Sequence, residues 1–289
     1  MKKSKSISRR NFIGKAAAIA GITVSVSENL FGQKAGVAMT SLPEEDVRNR
    51  FNALQKSEWK DVFQDSCRGD WREKWFLDGD RAKVENNAEG MTVHAGPTVA
   101  SEADHAVLWT KDIFEADNLK IEYYFTRIDN SFADVGTVNI IYILAQGGGG
   151  KKPLDILEWA DERREPNMGK YYNYMDAYHI SYSVSQPPSS PPETDKYIRG
   201  RRYSASGLNN TELTPEYMNV PLFEQGVTYK MTFIKTGREL FLNVAGNGKD
   251  MVFYFDATKF APITKGRIGL RQMFTRVSRY SDFKIFINK

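Results

Sequence analysis

The stretch Asp176-Ala-Tyr-His-Ile-Ser-Tyr182 has the alternating pattern of a β-strand with one buried face. Successive side chains of a strand point to opposite faces of its sheet, so Ile180 shares one face with the two tyrosines and His179 lies on the other. If the face of Ile180 packs into a core, His179 points out of that core. The pattern therefore predicts a sheet with one core-facing side and one side that carries polar groups.

Nine other segments show the same alternation or short apolar runs, and turn sequences such as Gly246-Asn-Gly248 separate them. Ten strands with hardly any helical pattern between them favour an all-β fold in which two antiparallel sheets pack face to face. The other predicted strands cover residues 90–95, 106–111, 119–128, 136–145, 227–235, 239–244, 251–255, 267–274 and 280–287.

A helical pattern precedes the strands at residues 43–57, where Val47 and Phe51 recur at helical spacing behind several acidic residues. A helix of this length predicts a single short element on the outside of the domain. We interpret residues 39–59 as a short helical lead-in and residues 60–289 as the β-sandwich domain.

The N-terminus predicts export. The stretch Ser8-Arg-Arg-Asn-Phe-Ile-Gly-Lys15 resembles the consensus of twin-arginine signals, and a mildly apolar run follows it at Ala16–Val26. That run is too short and too rich in alanine, glycine and serine to span a bilayer stably. We therefore expect residues 1–38 to be a removable signal peptide, the mature protein to be periplasmic or secreted, and no stable membrane insertion once the leader is removed.

The formal charge of +4 does not describe the predicted mature chain. Seven of the 40 basic residues but only one of the 36 acidic residues lie within residues 1–38, so the remainder carries a formal charge of −2. A global basic surface is absent, which argues against nucleic acid as a partner. Cys67 is the only cysteine, so stability must come from a packed core rather than from an internal disulfide.

The predicted strand over residues 267–274 carries a candidate binding residue. Its alternation turns Ile268 and Leu270 towards the core and Arg271 to the open side. Gly269 lies on the same open side, where the missing side chain leaves room for a ring to lie on the backbone. An arginine beside a glycine on an exposed sheet face predicts the floor of a ligand site.

Two further segments carry charged candidates. In Arg199-Gly-Arg-Arg-Tyr203, Arg201 and Arg202 are suited to grip a carboxylate or sulfate through paired hydrogen bonds, although a solvated basic hairpin would have the same sequence. In residues 155–159 the alternation is less decisive. Glu158 is interpreted there either as a substrate-binding acid or as part of a salt bridge at the rim.

Four segments resemble a known family in order and spacing. They are DAYHISY at residues 176–182, RGRRYSASGLN at 199–209, GRIGLRQM at 266–273 and SRYSDFKIFI at 278–287. The family is called domain of unknown function 1961, and the resemblance extends over roughly residues 60–287. It implies a concanavalin-like jelly-roll sandwich, related in shape to lectins, laminin-G-like domains and many glycan-cleaving enzymes. It also implies an association with saccharide degradation in bacteria, with an oligosaccharide or polysaccharide as partner.

Several chemistries lack their usual sequence pattern. The sandwich hydrolases need two carboxylates on one face of a strand, and in a strand the spacing of Asp155 and Glu158 would separate them. Zinc would need clustered ligands, whereas the three histidines are scattered, and we interpret His94 and His105 as structural. No cofactor or catalytic metal is therefore predicted, although a structural calcium ion held by loop oxygens would leave little trace in the sequence.

Tyrosine, histidine and arginine remain, and this set suits β-elimination on a uronate-containing, possibly sulfated sugar. We hypothesise that His179 and either Tyr178 or Tyr182 transfer the proton. The alternation that exposes the histidine turns both of these tyrosines inward, so other phenols are alternative partners. These alternatives are Tyr171, Tyr172, Tyr174 and Tyr203.

In the same hypothesis Arg271, together with Arg201 or Arg202, clamps the acid group of the sugar. The primary reading is thus an exported carbohydrate-active lyase or oligosaccharide dehydratase. A noncatalytic glycan-binding module is the alternative, because arginine and aromatic side chains on a sandwich bind glycans without any acid–base pair. A glycoside hydrolase is the third reading.

Overall fold

The computed structural model describes residues 42–99, 101–129, 136–187 and 196–288. The predicted signal peptide at residues 1–38 lies outside this part of the chain. Among the described residues, no helix is long and apolar enough to cross a bilayer.

Strands dominate the described residues, and all ten predicted strands are confirmed. Six more strands were not predicted, and they are β1, β2, β3, β6, β10 and β11. The strands are β1 (Lys60–Asp65), β2 (Trp75–Asp78), β3 (Lys83–Asn87), β4 (Gly90–His94), β5 (His105–Thr110), β6 (Phe114–Glu115), β7 (Asn118–Arg127), β8 (Thr137–Gly147), β9 (Met175–Ser185), β10 (Ile198–Ser204), β11 (Glu212–Tyr217), β12 (Thr228–Thr236), β13 (Glu239–Gly246), β14 (Lys249–Asp256), β15 (Lys265–Met273) and β16 (Val277–Asn288).

The strands pair in antiparallel fashion along one continuous path, and this path folds into the two sheets that the alternation predicts. The front sheet has the order β2-β5-β15-β8-β9-β10, with β6 added beside β15. The back sheet has the order β14-β13-β12-β7-β16-β4-β3, with β1 added beside β16. Strand β11 joins them, because it pairs with β10 at Leu213 and with β14 at Thr214.

The inner faces of the two sheets share one apolar core. Ile180 and Tyr182 of the front sheet are fully buried there, as the alternation predicts. The ring of Tyr182 packs edge-on against Phe125 of the back sheet, with the centroids 5.2 Å apart. Burying one such side chain stabilises the fold by about 1.5–3 kcal/mol, so a core that extends through both sheets makes the sandwich stable without a disulfide.

The predicted lead-in helix is confirmed as α1 (Glu44–Gln55), and it packs on the outer face of the back sheet. Three acidic residues in its first turn stabilise the helix, because their negative charges lie at the positive end of the helix dipole. Its buried face presents Val47 and Phe51, which pack with Ile234 and Phe241 of the sheet. Helix α1 therefore covers the side of the molecule that carries none of the predicted site residues.

The outer face of the front sheet has a cover of its own, the segment from Leu154 to Tyr172. It contains a 3-10 helix at Ile156–Arg163 and the short helix α2 (Met168–Tyr172). The side chains of Ile156, Trp159 and Tyr171 pack onto the sheet. We call this segment the cover segment, and it determines how much of the predicted open face solvent reaches.

The 3-10 helix corrects the strand reading of residues 155–159. The carboxylate of Asp155 accepts a hydrogen bond of 2.9 Å from the backbone N–H of Leu157 and so caps the helix. Residues three apart lie on the same side of a 3-10 helix, so strand geometry does not separate Asp155 from Glu158. Their environments separate them instead, because Asp155 pairs with Arg267 and Glu158 is exposed.

Candidate functional site

The strand register aligns five predicted or newly found residues across the outer face of the front sheet. Trp109 of β5 lies opposite Gly269 of β15, which lies opposite Tyr142 of β8. Tyr142 lies opposite His179 of β9, and His179 lies opposite Arg201 of β10. We call these five residues the outer row. Segments that are distant in sequence therefore meet in one line because adjacent strands lie only about 4.8 Å apart.

Gly269 leaves room for a ring, as predicted, but the ring belongs to the protein. A Cβ atom at this position would lie 2.4 Å from Cζ3 of Trp109. The Trp109 ring also stacks on Tyr142, with centroids 5.4 Å apart and an angle of 19° between the planes. The glycine thus allows an internal aromatic stack, which corrects the expectation of a ligand ring on the backbone.

His179 points out of the core, as the alternation predicts, yet it is only 3% exposed. Its ring stacks on Tyr203, with centroids 5.0 Å apart, and lies 5.6 Å from the ring of Tyr142. Its Nε2 lies 3.4 Å from Oγ of Ser181, and its Nδ1 has no hydrogen-bond partner among the described residues. One ring nitrogen of this buried histidine is therefore without a hydrogen bond in the described part of the protein.

The environment of His179 favours the neutral ring. Burial lowers its pKa well below the usual value, and the nearby positive charges of Arg201, Arg271 and Arg199 lower it further. A neutral imidazole offers one hydrogen-bond donor and one acceptor. At neutral pH His179 is therefore unprotonated, and one of its ring nitrogens is a hydrogen-bond acceptor.

Arg271 is a buried charge on this face that lacks an ion pair among the described residues. It is 1% exposed, and its Nε donates a hydrogen bond of 2.6 Å to Nε2 of His105. The pKa of His105 is far below its usual value because of burial and because of Arg271, so this histidine is a neutral acceptor. In the part of the chain that the structure describes, no carboxylate forms an ion pair with Arg271, and its Nη2 has no hydrogen-bond partner.

Arg267 lies on the same face of the same strand, but unlike Arg271 it forms an ion pair. Its guanidinium donates two hydrogen bonds to the carboxylate of Asp155, at 2.9 and 2.7 Å, and one of 3.2 Å to the carbonyl of Thr110. The charge of Arg267 is therefore neutralised within the protein. The charge of Arg271 is not, and a buried cation without a counterion is costly unless an anion binds beside it.

The two candidate arginines of β10 point in opposite directions. Arg201 belongs to the outer row and contacts Glu212 at 2.6 Å, with its side chain 16% exposed. Arg202 lies on the other face, 3.6 Å from the carboxylate of Asp176 and above the ring of Tyr178. The structure therefore places Arg201 beside His179, and it corrects the assignment of Arg202 to the same site.

Tyr178 and Tyr182 are also corrected as proton-transfer partners. Both lie on the core side of β9, the opposite side from His179. The hydroxyl of Tyr182 accepts a hydrogen bond of 2.9 Å from the hydroxyl of Tyr123, and that of Tyr178 accepts one of 3.3 Å from the backbone N–H of Ile263. Neither phenol can exchange a proton with His179 directly.

The phenols beside His179 are those of Tyr203 and Tyr142. Tyr203 was one of the alternatives, whereas Tyr142 was missed because apolar residues on both sides of it hide the alternation of β8. The two hydroxyls interact with each other, but neither has a hydrogen-bond partner of normal geometry within the described segments. Burial raises the pKa of Tyr203 to about 12 and that of Tyr142 well above its usual value. Both phenols are therefore protonated donors at neutral pH.

Glu158 is exposed on the 3-10 helix, and no contact joins it to the outer row in the described residues. His94 lies elsewhere, 3.4 Å from Glu85. The described segments hold no group of three or more histidine, cysteine, aspartate or glutamate side chains that could bind a metal ion. The site thus consists of aromatic, histidine and arginine side chains.

Two antiparallel sheets with this connectivity define a lectin-like jelly-roll protein. A protein of unknown function with a galectin-like fold from Bacillus subtilis superposes with a TM-score of 0.58 at 19% identity, over 80% of this chain and 100% of that one. A legume lectin-like domain from Entamoeba histolytica gives 0.52 at 9% identity, over 81% and 100%. The exoplasmic/lumenal domain of VIP36 in its Ca²⁺/Man3GlcNAc-bound form gives 0.50 at 10% identity, over 80% and 91%.

At these identities the solved structures are evidence for the fold only. The sequence is more specific, since residues 64–285 match the family model described as domain of unknown function (DUF1961). The chain belongs to the DUF1961 family, as the four sequence segments indicated. A search of the curated proteins found no match.

Proposed function

We propose that the protein binds an acidic oligosaccharide on the outer face of its front sheet, at His179, Tyr142, Tyr203, Arg201 and Arg271. One observation carries the proposal. Arg271 is a buried guanidinium with an unbonded Nη2 and no carboxylate partner among the described residues. A carboxylate or sulfate of the ligand would supply the missing charge and hydrogen bond.

Carbohydrate is the ligand class that the fold supports best. The VIP36 domain, which shares this fold, was solved with Man3GlcNAc bound. The site also has hydrogen-bonding chemistry that sugars need, because Nδ1 of His179 and the hydroxyls of Tyr142 and Tyr203 lack hydrogen bonds of normal geometry among the described residues. Arginine adds the preference for an acidic sugar over a neutral one.

Calorimetric titration tests this proposal. We expect oligosaccharides from alginate, pectin or chondroitin sulfate to bind, and cello-oligosaccharides of the same length to bind at least about tenfold more weakly, a difference of about 1.4 kcal/mol. Binding should also weaken as salt is raised, because part of the interaction is between charges. Equal affinity for neutral and acidic chains, or no binding of any acidic chain, would overturn the proposal.

A second function, β-elimination, is favoured by the pairing of a neutral histidine with two protonated phenols. In this mechanism Arg271 and Arg201 offset the charge of the uronate, which makes the adjacent C–H more acidic. His179 removes that proton as the base, a carbon–carbon double bond forms, and the carbon–oxygen bond to the leaving group breaks. The phenol of Tyr203 then gives its proton to the leaving oxygen.

Ultraviolet absorbance separates the two functions, since elimination creates a conjugated unsaturated uronate. Under the lyase or dehydratase proposal, absorbance rises with the wild-type protein and does not rise with His179→Gln. Binding without any rise in absorbance would leave a noncatalytic glycan-binding module. New reducing ends without that absorbance would indicate hydrolysis.

The compartment belongs to the same proposal. Export by the twin-arginine route would bring the protein to the periplasm or the medium, where large glycans are accessible. Replacing Arg9 and Arg10 by lysine should retain the protein in the cytoplasm, as measured by cell fractionation. Unchanged export of that variant would contradict a twin-arginine signal. Structural calcium remains a prediction that calorimetric titration of the chelator-treated protein would test.

A further inference from the structure

The cover segment closes one half of the outer face. The ring of Tyr171, from α2, lies 5.3 Å from the ring of His105, 5.8 Å from that of Tyr142 and 6.5 Å from that of Trp109. These three residues belong to β5 and β8, which lie on either side of β15. Arg271 of β15 therefore lies beneath this part of the cover segment, which we call the roof. The roof explains why a residue on the predicted open face is almost completely buried.

A buried ion pair fixes the roof to the sheet. Nε of Arg163 lies 2.6 Å from the carboxylate of Asp78, and both side chains are at most 1% exposed. Arg163 also donates to the carbonyls of Trp159 and Ile156, at 3.0 and 2.8 Å. Lifting the cover segment would separate the buried charges of Asp78 and Arg163, so a ligand does not displace it at low cost.

The carboxylate of Asp78 also connects the roof to the outer row. It accepts a hydrogen bond of 2.8 Å from Nε1 of Trp109 and one of 3.3 Å from the hydroxyl of Tyr171. The roof and the aromatic floor are thus joined through one carboxylate. Together they form a closed end of the site on the β5 side.

The other half of the outer face is more accessible. On β10, the side chain of Arg201 is 16% exposed and that of Arg199 is 27% exposed. Tyr203 is covered, since Tyr172 of α2 packs edge-on against its ring at 6.4 Å. The partly exposed side chains beside the site are therefore those of Arg199 and Arg201, and on this side the site lies nearest to solvent.

We propose that the site accepts the end of a sugar chain, one terminal acidic residue, and not an internal stretch of a polymer. This inference rests on the proposed function of carbohydrate binding. A polymer that crossed the outer face would have to continue past Arg271 through the ring of Tyr171, which the Asp78–Arg163 pair holds in place. A terminal residue needs no exit and reaches the free atoms of His179 and Arg271 from the open side.

Binding stoichiometry tests the inference with the wild-type protein. Tetra-, octa- and dodecasaccharides are prepared from whichever of alginate, pectin or chondroitin sulfate binds, and each is titrated at a known concentration of chains. We expect one protein molecule per chain at every length, with an affinity per chain that does not change. A number of bound proteins that rises with length would overturn terminal binding while leaving carbohydrate binding intact. No binding of any fragment would overturn the proposed function itself.

A pair of variants tests whether the roof is what limits binding to the end of a sugar chain. Tyr171→Ala removes the ring that closes the site, whereas Leu154→Ala changes an exposed residue at the start of the same segment. In Tyr171→Ala, once its folding has been checked by thermal unfolding, the number of proteins bound per chain should rise with chain length. Leu154→Ala should keep one protein per chain. The same stoichiometry in both folded variants would overturn the role of the roof.

Discussion

The two faces of strand β9 are buried to the same extent, yet they differ in how many of their polar atoms are hydrogen-bonded. Tyr182 on the core face and His179 on the outer face are both at most 3% exposed. The phenol of Tyr182 has a hydrogen-bond partner in Tyr123, whereas Nδ1 of His179 has none among the described residues. The hydroxyls of Tyr142 and Tyr203 interact with each other but form no hydrogen bond of normal geometry. Since buried polar groups are normally paired, the unpaired atoms of the outer face support the proposal that a ligand binds there.

The core face carries a polar network of its own, in which Oδ1 of Asn139 has no hydrogen-bond partner among the described residues but Nδ2 has several. The side-chain amide of Asn139 contacts Gln272, Ser278 and Tyr280 at 3.0, 2.9 and 3.2 Å. These contacts connect the two sheets, and they need no molecule from outside. Burial alone does not distinguish the two faces, whereas the outer face gathers more unpaired side-chain atoms, around His179 and Arg271. Four comparisons of matched variants can break or sharpen this distinction.

Truncating a core side chain should have the largest effect on stability. Ile180→Ala should lower the free energy of unfolding by about 2–5 kcal/mol, because it leaves a cavity between the sheets. Ser181→Ala, the next residue on the outer face, should lower it by less than about 1 kcal/mol. Urea denaturation followed by tryptophan fluorescence measures both. Equal losses would contradict the assignment of the two faces.

The two arginines of β15 should respond in opposite ways. Arg271→Met should weaken binding of acidic oligosaccharides at least about tenfold and change the free energy of unfolding by less than about 1 kcal/mol, because removing a buried charge without a counterion offsets the lost hydrogen bond to His105. Arg267→Met should lower the free energy of unfolding by about 1–3 kcal/mol, because it breaks the contacts to Asp155, and it should leave binding unchanged. Calorimetric titration and urea denaturation measure the two quantities. A reversed pattern would mean that Arg267 is the binding group.

Acid should destabilise the protein through His179. Its folded pKa is depressed, so below about pH 6.5 the unfolded chain binds more protons than the folded one, and stability falls by up to about 1.4 kcal/mol per pH unit. That contribution is fully present above the unfolded pKa and is lost as the pH falls towards the folded value. His179→Gln should show a correspondingly smaller slope, and His105 cancels in the difference between the two proteins. Identical slopes would mean that the folded His179 titrates normally.

Removing single hydroxyl groups should have the smallest effect. Tyr182→Phe leaves the hydroxyl of Tyr123 without its partner and should lower the free energy of unfolding by about 1 kcal/mol. Tyr203→Phe removes a hydroxyl that interacts with the hydroxyl of Tyr142 without a hydrogen bond of normal geometry, so it should lower stability less than Tyr182→Phe does and weaken ligand binding instead. Denaturation and titration of the two variants provide the comparison. An equal or larger loss of stability in Tyr203→Phe would indicate that its hydroxyl is already satisfied within the protein.

The alternation of side chains predicted much of the fold, because it depends only on neighbours along the chain. It found the ten clearest strands, and it assigned Ile180 to the core and His179 to the other face. Strands β10 and β11 were missed because charged residues and a proline weaken their pattern. Since β10 carries Arg201, the place of that residue beside His179 followed only from the register.

The candidate site was less predictable, because it depends on residues that are far apart in sequence. Tyr142 and His105 join the site through strand pairing, which leaves no local pattern. The burial of Arg271 depends on Tyr171 in the cover segment, and residues 155–159 within that segment resembled a strand. The sequence therefore indicated which side chains point out of the core, but not which of them a later segment covers.

A crystal structure with a bound acidic oligosaccharide tests the central claim most directly. The claim is that Arg271 of the outer face binds an anionic group of the ligand. We expect the carboxylate or sulfate of a terminal sugar to accept a hydrogen bond from Nη2 of Arg271, with the sugar also in contact with His179 and Tyr203. A sugar bound on the face of the back sheet, with Nη2 of Arg271 still unbonded, would contradict it.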